Sequence, residues 1–340
     1  NFLDIPLAKQ INVMNRWQYT DAINGYVSII DFRYLKDDKQ TGETDFDPDI
    51  HKLTTQKYGS EINTERVDIA TKIGYVFPDA PYNSIGFQMA YSGHEQDSYF
   101  GLNRYNINHK SLYSNLRLNS ILGSTLHKFK TGISFTHDSY NEFVNTTDFG
   151  RTENSFGGFF EYNYDNLNDF SLIAGLRLDF HNLLGVFVTP RLHVRYAPWE
   201  KGVLRASVGR GKRSANIFAE NQQLFGSSRV MSILNTDGKI YGLNPEIALN
   251  YGFSFLQGFN LFERKADFTV DYYSTHFDNK VIVDVDESPQ QVLFYNLEGN
   301  SHAKNLQVQF NYELAKNLDL RLAYKNYDVK TDYKKGSLEK

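Results

Sequence analysis

A period of two runs through most of this chain. In the stretch FSLIAGLRLDF, Phe170, Leu172, Ala174, Leu176, Leu178 and Phe180 alternate with Ser171, Ile173, Gly175, Arg177 and Asp179. That spacing predicts a strand with one apolar face and one largely polar face. At ~3.3 Å per residue the stretch spans roughly 33 Å. Tilted by about 40°, it stands roughly 25 Å high, the height of the apolar band on an outer-membrane barrel. The apolar face also begins and ends with an aromatic ring.

The pattern recurs from end to end. Leu306, Val308, Phe310, Tyr312 and Leu314 oppose Asn305, Gln307, Gln309, Asn311 and Glu313. Ile247, Leu249, Tyr251, Phe253 and Phe255 oppose Ala248, Asn250, Gly252 and Ser254. Val67, Ile69, Ile73, Tyr75 and Phe77 oppose Asp68, Ala70, Lys72 and Gly74. About 14 such segments are expected between residues 11 and 330. Short connections rich in Gly, Pro, Asn and Asp are expected near 20–24, 78–82, 123–124, 165–169, 198–202, 257–258 and 315–316. Longer polar connections fall between them, the largest at 37–60 and 213–244. Short turns at one end and long loops at the other predict an all-β, transmembrane, antiparallel up-and-down barrel. Aromatics at both strand ends predict two girdles: Tyr75, Phe77, Tyr164, Phe170, Tyr196, Phe255 and Tyr312 at the short-turn end, and Phe135, Phe180, Tyr272 and Tyr324 at the other.

Composition narrows the alternatives. Aromatics make up 15% of the 340 residues, with 23 Tyr and 26 Phe but only 2 Trp, which suits strands and interfacial belts. A net charge of −4 gives no nucleic-acid footprint. With no cysteine, disulfides and thiolate metal sites are excluded. No apolar run approaches the ~20 residues of a transmembrane helix.

The inner face predicted by the alternation is too polar for a dry core. Arg177, Asp179, Arg191, Arg195, Arg205, Asp267, Asp271 and Arg321 all fall on it, with His193, Asp319 and Lys325. Each would cost several kcal/mol to bury unpaired, so the lumen must hold water or another polar body.

Residues 189–229, TPRLHVRYAPWEKGVLRASVGRGKRSANIFAENQQLFGSSR, followed by NPEIALNYGFSF at 244–255, resemble the TonB-dependent outer-membrane receptors, especially those of Bacteroidetes. There a strand of this form leads into a long extracellular loop, and a Pro-Glu pair, here Pro245-Glu246, opens the next strand. The stretch FDNKVIVDVDESPQQVLFYNLEGNSHAKNLQVQFNYEL resembles the family's late barrel. The resemblance implies a barrel of about 22 strands around a plug. No signal peptide, TonB box or plug sequence is found, so residues 1–340 are expected to be one incomplete barrel domain, continued elsewhere or completed by another chain. It implies active uptake of a large nutrient (an iron–siderophore complex, haem, cobalamin or a glycan) across the outer membrane of a Gram-negative bacterium. The implied partners are outer-membrane lipid, the TonB–ExbB–ExbD system acting through the plug, and a surface lipoprotein. A passive or secretion-associated barrel, a rim enzyme using His181 near Asp179, and a soluble β-sandwich remain alternatives.

No catalytic pattern stands out, so the chain is expected not to be an enzyme. Gly209-Arg210-Gly211 lies in a strand end, not in a strand–loop–helix unit, so it is no dinucleotide motif. The nine histidines form no ligand spacing. No cofactor is expected beyond a calcium ion that Asp45, Asp47 and Asp49, or Asp284, Asp286 and Glu287, could take with oxygen ligands. The 213–244 loop is the candidate ligand site. Its Arg213, Asn216, Phe218, Glu220, Asn221, Arg229 and Tyr241 combine rings, amides and charge able to stack on and hydrogen-bond a large polar ligand. The competing reading is a packing loop that touches no ligand.

Overall fold

The computed structural model describes residues 1–332. Its strands are β1 (Leu7–Asp21), β2 (Tyr26–Gly42), β3 (Gly59–Val76), β4 (Ser84–Phe100), β5 (Asn103–Leu122), β6 (Ser124–Val144), β7 (Thr147–Asp148), β8 (Arg151–Asp165), β9 (Phe170–His181), β10 (Gly185–Tyr196), β11 (Gly202–Arg213), β12 (Val230–Ile233), β13 (Glu246–Leu261), β14 (Arg264–Asn279), β15 (Val281–Asp284), β16 (Gln291–Asn296), β17 (Ser301–Ala315) and β18 (Leu318–Thr331). Fourteen of them pair in sequence order, each antiparallel to the next, from β1 to β18; β7 adds a short extension to β6. Neither edge strand, β1 or β18, has a second neighbour among the described residues. Residues 333–340 of the expected single domain lie outside the described residues.

Register carries the alternation around the whole wall. Phe180 pairs with Phe156 on one side and Val186 on the other, and Leu178 with Gly158 and Val188. This row is the outer face: Leu176 is 54% exposed and Phe180 50% exposed. Arg177, Asp179, Glu161 and Arg191 share the opposite face. The girdle at the short-turn end forms real ring contacts: Tyr75 on Phe77 at 5.1 Å, and Tyr164, Phe170 and Tyr196 in a chain at 6.1 and 6.3 Å.

The connections depart from expectation in two ways. Three connections at the long-loop end are short: Gly101-Leu102, Asn182 to Leu184, and 145–150 with β7 in it. At the first and last of these the strands run further, β5 for 20 residues and β6 for 21, whereas β9 and β10 beside Asn182 to Leu184 have only 12 each. The expected turn at Gln257-Gly258 does not exist, because β13 continues to Leu261 and turns at Phe262-Glu263. Both turn residues take positive φ, +49° and +64°, the backbone of a two-residue hairpin that usually recruits Asn-Gly. Turn chemistry pointed to the glycine; ladder pairing overrode it.

The second sheet was not expected from the sequence. β12, β16 and β15 pair inside the long loops, β12 parallel to β16. With the 3-10 helix Ala219–Gly226 they bring Ile217, Phe218, Phe225, Leu243, Val292 and Phe294 against Tyr105, Ile107 and Val144 of the barrel wall. The largest dry core of the molecule therefore lies at the mouth, not between the strands of the wall.

Candidate functional site

The inner wall is built from cross-strand pairs. Lys130 Nζ donates to Glu161 at 3.0 Å, and Arg191 reaches the other Glu161 oxygen. Arg177 donates to Asp179 at 2.7 Å and to Ser134 Oγ at 2.7 Å. A side chain at Gly157 would strike Asp179 at 2.1 Å, so a bare backbone there is what lets the Arg177–Asp179 pair lie flat on the wall. Further round, Asn311 donates to Asp267 at 2.7 Å and accepts from Arg321 at 3.0 Å. Arg195 and Arg205 stand directly opposite each other, and Asp271 lies across from Ser254 and Gln307. All eight of these residues lie on one face of the sheet, opposite the apolar row. Like-charged neighbours such as Arg195 and Arg205 repel unless water or an anion lies between them.

The mouth is organised differently. Glu142, at the upper end of β6, is fully buried and accepts from Arg151 at 2.8 Å, from Tyr105 at 3.0 Å and from the Tyr241 hydroxyl. Arg151 also donates to Glu153 at 2.8 Å. Its guanidinium lies between two rings, 3.8 Å from the centre of Tyr140 and 4.5 Å from that of Tyr241. Burial, then the Glu142 carboxylate, push the Tyr241 hydroxyl well above its ordinary range, so it stays protonated and donates. One cation between two buried carboxylates and two tyrosines ties the long loop to the strands beneath it.

The seven candidate loop residues are mostly turned to that task. Phe218 is 3% exposed and packs on Tyr241, Phe225 and Phe294. This corrects the expectation that it offers a ring to a ligand: the apolar mouth of the wall needed covering, and Phe218 covers it. Tyr241 is spent on Glu142 and Arg151 in the same way. Asn216 Oδ1 accepts from Arg151 at 2.5 Å, and Asn221 Nδ2 donates to the Ile217 carbonyl at 2.8 Å. Arg229 donates to the Val285 carbonyl at 2.7 Å. Arg213 grips Glu246 at 2.6 Å and both Glu220 oxygens at 3.1 Å. Of the seven, Arg213 and Glu220 keep the largest exposed surface, with side chains 59% and 38% exposed.

The acidic cluster does not converge. Asp45 pairs with Lys57 at 2.7 Å, while Asp47 accepts from the Asp49 amide at 3.0 Å and caps the short helix Pro48–His51. Asp284 likewise accepts from the Asp286 and Glu287 amides at 3.0 Å. Among the described residues no group of three His, Cys, Asp or Glu side chains is placed to hold a metal ion.

Sequence reasoning missed Tyr105, Tyr140, Glu142, Arg151 and Glu153. Only Tyr105 left a trace: the inner row of β5 runs Asn115, Tyr113, Ser111 and His109, then meets Ile107 and Tyr105, an apolar and an aromatic position in succession. Sequence also missed an open cavity of about 420 Å³ at the rim, lined by Thr54, Tyr58, Phe100, Leu102, Phe225 and Ser227. Its lining combines rings with hydroxyls, the composition of a ligand cleft.

The fold is similar to that of solved outer-membrane proteins. Over 96% of this chain and 58% of the other, it superposes on the siderophore receptor PirA of Pseudomonas aeruginosa with a TM-score of 0.66 at 14% identity. The alcaligin receptor FauA of Bordetella pertussis gives 0.62 at 12% identity over 96% and 54%. The outer-membrane transporter YddB of Escherichia coli gives 0.67 at 10% over 95% and 48%. The chain thus spans about half to three-fifths of these proteins. No curated protein matches it. The family described as TonB dependent receptor-like, beta-barrel, matches residues 7–339, and the chain belongs to that family.

Proposed function

We propose that this chain is the barrel of an outer-membrane receptor that takes up a large nutrient by TonB-dependent transport, and that it is not an enzyme. The observation that carries this reading is the pairing of a charged inner wall with a dry, pinned loop core at its mouth. Such a core lets a receptor hold its long loop in a fixed shape at the mouth, where a ligand can be bound before a path opens. The siderophore receptor and the alcaligin receptor above, and a hemophore receptor of Serratia marcescens in complex with its hemophore and heme at TM-score 0.58, support uptake of an iron–siderophore complex or haem before cobalamin or a glycan. The arginines and lysine of the inner wall, Arg177, Arg191, Arg195, Arg205 and Lys130, suit an anionic cargo or the acidic face of a plug. The rim cavity and, in the long loop, the exposed Arg213 and Glu220 are the proposed docking region. The TonB–ExbB–ExbD system would act through a plug, in a Gram-negative host of the Bacteroidetes type, with outer-membrane lipid around the wall and a surface lipoprotein as a further partner.

The test is growth of a deletion strain on single sources of iron, haem, cobalamin or glycan. Loss of growth on one source, restored by the gene only while the membrane is energised, is the expected result. Unimpaired growth on all four, together with ion conductance by the purified protein, would replace uptake with a passive channel.

A further inference from the structure

The wall of this barrel is not continuous. β10 pairs with β9 along all 12 of its residues, and β11 pairs with β13 along all 12 of its own. Yet β10 and β11 pair with each other only from Tyr196↔Leu204 to Arg191↔Gly209. The ladder stops at Pro190. Proline has no N–H to give a neighbour, and within sheets it is confined to edges and bulges. Gly209 and Gly211 stand on the other side. A side chain added at Gly209 would meet Arg191 and the Pro190 carbonyl at 3.7 Å, whereas one added at Gly211 meets nothing within 4 Å. Beyond Arg191↔Gly209 the two strands share no further ladder pair.

The side chains confirm that space. Lys212 alternates onto the outer row, opposite Ile247. Its Nζ nevertheless donates to the Leu184 carbonyl at 3.0 Å and lies 4.3 Å from the Phe187 ring, both on the far side of the gap. A cavity of about 480 Å³ runs from the luminal Arg177 and Arg191 past Thr189 and Pro190 to Arg210. A second, of about 240 Å³, joins Leu184 and Phe187 to Lys212 and Arg213. Both cavities touch both strands. Val186 and Val188, on the outer row beside the gap, are exposed. Unpaired backbone facing hydrocarbon costs several kcal/mol per group, so where acyl chains enter, its open groups must be met by polar side chains, as Lys212 meets the Leu184 carbonyl.

We propose that the upper halves of β10 and β11 bound a lateral passage between the lumen and the outer-leaflet side of the bilayer, with Lys212 as its clasp. The inference rests on the membrane placement proposed above but not on the nature of the nutrient. Because these 340 residues contain no cysteine, the test can use introduced pairs in the full-length protein. Continued register would set Thr189 opposite Gly211, just as it sets His193 opposite Ser207. Under mild oxidation, the His193→Cys/Ser207→Cys pair is expected to lose both thiols in most molecules, and the Thr189→Cys/Gly211→Cys pair to keep them. Equal loss from the two pairs overturns the passage. A bimane probe on Thr189→Cys, in vesicles of acyl-brominated phosphatidylcholine, is expected to be quenched as strongly as one on the outward Val188→Cys. A probe on Ser207→Cys should be spared. Quenching at Val188 but not at Thr189 overturns the passage alone. Quenching at neither overturns the membrane placement, and the passage with it.

Discussion

The lower wall and the mouth are made from the same strands but obey opposite rules. Along the lower wall the apolar residues point outward and the inner face is polar and charged. Near the top of β5 the inner row becomes Ile107 and Tyr105, 8% and 0% exposed, and the long loop closes over them. Ions follow the same division. Lys130 and Arg191, bound to Glu161, have side chains 47% and 55% exposed, while Arg151 is 8% exposed and Glu142 fully buried. Water sets the worth of each pair. Solvent that reaches the half-exposed pairs screens them; at the mouth the ions are buried, and an unpaired charge there has nowhere to go.

Removing one ion should do the most damage at the mouth. Arg151→Met leaves Glu142 and Glu153 buried without their cation, at a cost of about 3–5 kcal/mol. The wall beneath it does not depend on that pair. The expected outcome is rapid protease cleavage in 213–244 with the β-sheet circular dichroism retained. Cleavage no faster than in the natural protein would mean that the loop is held by packing alone. Phe225→Ala tests that packing, since Phe225 is 1% exposed and stacks on Tyr105 at 5.1 Å. Its expected cost is also about 3–5 kcal/mol, read by the same cleavage.

A charge on the outer face ranks next. Leu176→Lys places an ammonium in mid-strand on the apolar row, at about 2–4 kcal/mol if it meets hydrocarbon. The measurement is the denaturant midpoint of folding into lipid vesicles. No shift would mean that lipid does not contact this row.

The wall was legible in the sequence because a period of two is local: each strand declares its own two faces. Leu176 and Arg177 could be assigned to opposite faces without knowing any neighbour. The mouth was hidden because its partners are distant in sequence. Tyr241 and Glu142 meet across 99 positions, and Asn216 and Arg151 across 65. The loop's composition of rings, amides and arginine looked like a ligand site because a buried polar network is built from the same residue types. Only exposure separates the two, and exposure is set by the fold. The small sheet of β12, β15 and β16 escaped for a related reason: strands of 4 to 6 residues are too short for alternation to register.

A smaller effect lies at the turn that sequence misplaced. Phe262 and Glu263 hold left-handed backbone that costs an L-residue with a bulky side chain roughly 1–2 kcal/mol. Asparagine bears that conformation more easily. Phe262→Asn should therefore raise stability by up to about 1 kcal/mol, seen as a higher transition temperature for the folded band in gel electrophoresis. Phe262 is 84% exposed, so no packing is lost from the protein itself. A fall in stability instead would mean that the ring has a partner outside the chain.

The smallest change belongs to the lumen. Lys130→Ala removes one of the two cations on Glu161, but Arg191 keeps its grip on the other oxygen. Half-exposed pairs of this kind are worth about 0–1 kcal/mol. The denaturant midpoint should therefore barely move, and what little shift occurs should vanish in high salt. Arg151→Met should be insensitive to the same salt, since ions do not reach a buried pair. A salt-independent loss at Lys130 would place that side chain in a dry environment, against a plug or a bound partner, and would erase the distinction between wall and mouth.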